Sequence, residues 1–117
     1  MSDLVIPKTV ESIEDVVWDD YINLRCIEAD PKWLNKLPPK SQIERFVVPD
    51  WVLEVHEKDF DGCYKLKELI FEKSNTKLCG ERCDAFENIE SIKCSETTAS
   101  SMSNNAKKNW KKWEIKE

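Results

Sequence analysis

The chain has 117 residues, 35% charged and 40% apolar, with a net charge of -5 and a mean hydropathy of -0.60. That length fits one small domain with a thin core, and no apolar run approaches the roughly 20 residues of a membrane-spanning helix. Only two glycines, Gly62 and Gly80, are present, which leaves little room for phosphate-cradling loops or nucleophile elbows, so no catalytic scaffold is expected.

Ser12, with Asp15 three residues on, opens the first helix signal. Ile13, Val16, Val17, Tyr21, Leu24 and Ile27 then follow at three-to-four spacing, predicting a helix over 12–29. Asp30-Pro31 supplies a cap and a first-turn proline for a short helical piece, which Pro38-Pro39 stops. Ser41–Glu44 resembles another capping box, but Pro49 follows closely. One or two helical turns followed by a kink are therefore expected over 42–47, with a short strand at Phe46–Val48 as the alternative. Pro49 opens a helix to about Lys58, with Trp51, Val52 and Val55 inward.

Asp59–Gly62 reads as a turn. Cys63, Leu66, Leu69 and Ile70 then carry helical spacing over 63–73, although 64–67 also alternate as a strand would. A last helix is predicted over about 81–93 through Cys83, Phe86, Ile89 and Ile92. Ser95–Asn105 is polar and low in complexity. No internal repeat is visible. The expected fold class is thus mainly α: four or five short helices in one small domain over 1–94, with room for a minor β contribution. A flexible linker over 95–105 and a Lys/Trp-rich tail over 106–117 follow. The expected core is Val17, Tyr21, Leu24, Ile27, Trp51, Val55, Leu66, Ile70, Phe86 and Ile89.

Residues 1–105 carry 13 basic and 21 acidic side chains; residues 106–117 carry five lysines and two glutamates. The acidic body disfavours nucleic acid, and the basic tail does not. Trp110 and Trp113, three apart and flanked by Lys107, Lys108, Lys111 and Lys112, form the sharpest candidate contact segment. Trp18 with Asp19 and Asp20 is the second, an aromatic ringed by acids.

The five cysteines are odd in number, and with no secretory signal they are expected as thiols in nucleus or cytoplasm. Cys79 and Cys83 form a C-x3-C pair, for which His56, Cys63 or Cys94 are the further ligand candidates. The pair has no second compact pair, so neither metal nor cofactor is expected. His56, the sole histidine, has no catalytic motif around it. The expected function is a non-enzymatic protein–protein interaction module, a small subunit or adaptor of a larger intracellular complex. The alternative is a nucleic-acid-associated accessory protein that uses the Lys/Trp segment.

Overall fold

One pattern of apolar residues recurs along the chain and decides its architecture. Leu24, Ile27 and Ala29 stand at its first, fourth and sixth positions. Ile43, Phe46 and Val48 do the same, then Leu66, Leu69 and Phe71, then Ile89, Ile92 and Cys94. All of them are buried. The computed structural model describes residues 3–14, 18–72, 76–79, 89–95, 98 and 114–116. In it, each copy of the pattern becomes a short strand with its flanking residues.

Among the described residues the strands are β1 (Asp3–Val5), β2 (Cys26–Glu28), β3 (Arg45–Val48), β4 (Glu54–His56), β5 (Glu68–Phe71), β6 (Lys77–Cys79), β7 (Ser91–Lys93) and β8 (Glu114–Lys116). Six of them form one sheet in the order β1-β2-β3-β5-β7-β8, and β4 pairs with β6 in a second. Every pairing is parallel. Asp3, Cys26, Arg45, Glu68, Ser91 and Glu114 stand opposite one another in sequence. The chain therefore winds as a coil. One turn takes 23 residues, except the 19 between β2 and β3. Among the described residues, each of the first three turns, from β1 to β5, carries at least one 3-10 segment between its strands.

The coil is pinned by a repeated hydrogen-bond device. The carbonyl of the residue before β2, before β3 and before β5 accepts two N–H groups from the next turn. Arg25 accepts from Glu44 and Arg45 at 2.8 and 3.0 Å, Glu44 from Lys67 and Glu68 at 2.9 and 3.1 Å, and Lys67 from Glu90 and Ser91 at 2.8 and 3.1 Å. Between strands the chain returns through 3-10 turns at Trp18–Tyr21, Pro31–Lys36, Pro38–Gln42 and Glu57–Phe60. Asp30 caps the second by accepting from the Lys32 N–H at 3.0 Å, with Pro31 next. Gln42 Nε2 donates to the carbonyls of Tyr21, Ile22 and Leu24 at 2.9, 3.1 and 3.1 Å, tying two turns together. Gly62 sits at φ 90, where only glycine is unstrained, and closes the turn before Cys63. The core lies between sheet and turns: Phe60 meets Phe46 edge to face, with ring centroids 5.2 Å apart. Thr76 is buried there, its hydroxyl donating to the Val52 carbonyl at 2.9 Å.

These findings correct the expectation of a mainly helical fold. The helical segments completed among the described residues are 3-10 turns of four to six residues. The predicted helix over 12–29 contains β2, that over 49–58 contains β4, that over 63–73 contains β5, and that over 81–93 contains β7. The cause is specific. The first and fourth positions of the repeat are three apart, as on a helix, so Leu24–Ile27, Leu66–Leu69 and Ile89–Ile92 imitate a helical stripe. The absence of an internal repeat is corrected on the same ground. The strand reading of Phe46–Val48 holds. Ile70 faces outward beside inward Leu69, and Tyr21 and Trp51 are only half-buried. Val17 and Phe86 lie outside the described residues. No helix among the described residues is long and apolar enough to cross a membrane.

Candidate interaction face

A parallel sheet packed on one side leaves alternate side chains on the other. Here Ile27, Phe46, Leu69 and Ile92 point inward and are at most 1% exposed. Their neighbours line the outer face as two rows. The first row runs Asp3, Cys26, Arg45, Glu68, Ser91; the second runs Val5, Glu28, Val47, Ile70, Lys93. The outer face thus has an apolar centre in Val47 and Ile70, both half-buried. Val5 at one edge is 59% exposed. Charges of both signs surround them.

Those charges are partly organised. Arg45 Nε donates to Glu68 Oε1 at 3.1 Å across β3 and β5. Arg25 and Glu44 make a looser pair at 3.5 Å just before β2 and β3. Such exposed pairs add little stability, about 0–1 kcal/mol. Burial pushes the Cys26 thiol up, against the pull of the Arg45 guanidinium. It is therefore a protonated thiol at neutral pH.

At the end of the second row, past β5, Glu72 is hydrogen-bonded to the Glu28 side chain. That bond, then burial and the negative charges of Glu28 and Asp50, push its carboxyl up to about 7. A carboxyl raised in the folded state stabilises the fold below its unfolded value and loses that contribution as pH rises through about 7. Stability is therefore expected to fall slightly between pH 5 and pH 8. Glu72 is largely exposed, so solvent screening limits the change to less than about 1 kcal/mol. Urea unfolding at both pH values checks this, and Glu72→Gln is expected to flatten the difference.

The sequence-derived contact residues fall elsewhere. Trp18, Asp19 and Asp20 lie in the connection between β1 and β2, in a 3-10 turn that touches the turn of Pro38–Gln42. Trp18 is half-buried against the core, its ring 5.6 Å from that of Tyr21, while Asp19 and Asp20 are exposed. Lys107, Lys108, Trp110, Lys111, Lys112 and Trp113 lie outside the described residues. The segment they form ends immediately before β8, the last strand of the sheet. Sequence reasoning missed Arg45, Val47, Glu68 and Ile70 as outward-facing residues. The recurring apolar triplet was the signal that could have found them, because its third and fifth positions, on either side of the buried fourth, are the outward ones.

Cys63, a ligand candidate and the only cysteine near His56 in sequence, faces the core, and burial pushes its thiol up to about 11. Among the described residues, the one group of His, Cys, Asp and Glu side chains near enough to share a metal ion is Glu54, His56 and Cys79, on the small sheet.

Fold and face together define a parallel repeat coil that displays a flat, mixed-charge surface with an apolar centre. No family model, no curated protein and no solved structure matches this chain.

Proposed function

We propose that this chain is a non-enzymatic protein–protein interaction module, a subunit or adaptor within a larger nuclear or cytoplasmic assembly. The observation that carries the reading is the outer sheet face, where Val47 and Ile70 sit half-buried between the Arg45–Glu68 pair and the Glu28 and Lys93 side chains. An apolar centre with a charged rim is the anatomy of a protein interface. Rigid stacked strands also present it at little cost in ordering.

Dimensions refine the proposal. Six strands about 4.8 Å apart and three or four residues long give a face of roughly 300 Å², less than half of one side of a standard interface. A partner of ordinary affinity must therefore touch a flanking segment too. The Lys/Trp segment at 107–113 adjoins β8 in sequence and is proposed as that flank, with Trp110 and Trp113 as anchors.

The test is a double substitution on the outer face, Val47→Glu with Ile70→Glu. Partner capture by the tagged full chain should be lost, and the melting temperature should fall by no more than about 10 °C, because outward positions carry little folding energy. Capture that survives with the fold intact rejects the face as the docking surface.

A further inference from the structure

We infer that Glu54, His56 and Cys79 form a three-donor site for a zinc ion on the outward side of the β4–β6 sheet, with the fourth coordination position open. The inference does not depend on the partner proposed for the large sheet.

The geometry comes from strand register. Glu54 and His56 are two residues apart on β4, so they share a face, and His56 stands directly opposite Cys79 on β6. Between them Val55 and Leu78 point the other way and are fully buried. The donors thus rest on a fixed, packed floor, with their heads turned to solvent. Cys79 Sγ donates to Glu54 Oε1 at 3.1 Å, and His56 Nε2 lies 3.6 Å from the same oxygen. The three ligand atoms all lie within 4.8 Å of one another.

A tetrahedral zinc ion with a sulfur ligand at about 2.3 Å and nitrogen or oxygen ligands at about 2.0–2.1 Å has ligand atoms about 3.5 Å apart. The observed separations require only small side-chain adjustments to reach that. Thiolate, imidazole and carboxylate are also the donor types zinc takes, and a set with one sulfur excludes magnesium and calcium by hardness. With the thiol deprotonated and the imidazole neutral, the three donors supply two negative charges, matching a divalent ion. Binding releases the Cys79 thiol proton to solvent, so affinity rises with pH. Lys77, opposite Glu54 on β6, is the one cation on the same strand pair. Its long stem is exposed and free to swing its charge outward.

In sequence, Cys79 stands as half of a pair with Cys83, with His56 a further candidate. The fold brings His56 to Cys79 and adds Glu54, both from a different strand, 23 and 25 residues earlier. Three protein ligands with an open position is the arrangement of zinc sites that bind water or a ligand from another molecule.

The test uses the reduced, metal-free full chain titrated with Co²⁺ as a spectroscopic probe and then with Zn²⁺. One equivalent of Co²⁺ should give a sulfur-to-cobalt charge-transfer band and tetrahedral visible bands, both abolished by Zn²⁺. Cys79→Ser should remove the charge-transfer band. His56→Ala and Glu54→Gln should each weaken binding at least tenfold. Circular dichroism should match wild type in all three, because these side chains face outward. His56 is the only histidine, so its imidazole NMR signals report the site in the unmodified chain and should shift on addition of one equivalent of Zn²⁺. A wild-type chain without the charge-transfer band overturns the site. So does a band indifferent to Cys79→Ser, undiminished affinity in either of the other variants, or an imidazole signal that ignores Zn²⁺.

Discussion

Replacing Phe46 with alanine is expected to lower the free energy of unfolding by about 3–5 kcal/mol. Phe46 is 1% exposed on the inner face of β3. In register it stands between Ile27 on β2 and Leu69 on β5, and its ring meets Phe60 of the opposing turns at 5.2 Å. In a stacked coil, stability is the sum of each turn and its contacts with the turns beside it. The truncation opens a cavity at two such contacts and removes an edge-to-face ring pair, itself worth about 0.5–1.5 kcal/mol. Phe46→Leu retains most of the volume and should cost about half as much or less. Urea unfolding measures both, and an unchanged slope in denaturant shows that stability has changed rather than the unfolded state.

The second large effect separates a strand from a helix at adjacent residues. Leu69→Ala should cost about 2–5 kcal/mol, since Leu69 is fully buried between Phe46 and Ile92. Ile70→Ala should cost less than about 1 kcal/mol, since that side chain lies half-exposed on the outer face. A helix running through Cys63, Leu66 and Ile70 would give Ile70 the larger cost. Equal costs at the two positions would mean that the inner and outer faces of β5 are wrongly assigned.

Much of the local chemistry was legible in the sequence, while the global arrangement was not. The Asp30-Pro31 start and the Pro38-Pro39 stop both appear, as ends of 3-10 rather than α-helical turns. The turn at Asp59–Gly62 is present too, with Gly62 at positive φ. Leu24, Ile27, Val55, Leu66 and Ile89 are buried as the apolar spacing requires. Helical spacing failed because it tests neighbours three and four apart, and Leu24–Ile27 and Leu66–Leu69 satisfy that test with the first residue in the irregular lead-in, two residues before the strand that holds the second. The sixth position of the repeat, held by Ala29, Val48, Phe71 and Cys94, is what distinguishes the two. Its varied chemistry, and a turn shortened from 23 residues to 19 between β2 and β3, hid the period. The outward face was unreadable for the same reason. Whether Ile70 or Leu69 points to solvent is a matter of strand register, and a one-residue error exchanges every side chain between the two faces. Glu54, His56 and Cys79 meet only because β4 and β6 pair across a whole turn of the coil.

A partner protein is proposed to dock on the outer face of the six-stranded sheet. The most direct measurement places a photo-crosslinking amino acid at Ile70 and, in a separate chain, at Lys32, then irradiates each in native extract. Ile70 lies on the outer face; Lys32 is exposed in the 3-10 turn of Pro31–Lys36, whose Trp33 and Leu34 are buried in the core. The account predicts a discrete cross-linked product from position 70 and none from position 32. Products from position 32 alone, or the same products from both, would contradict it.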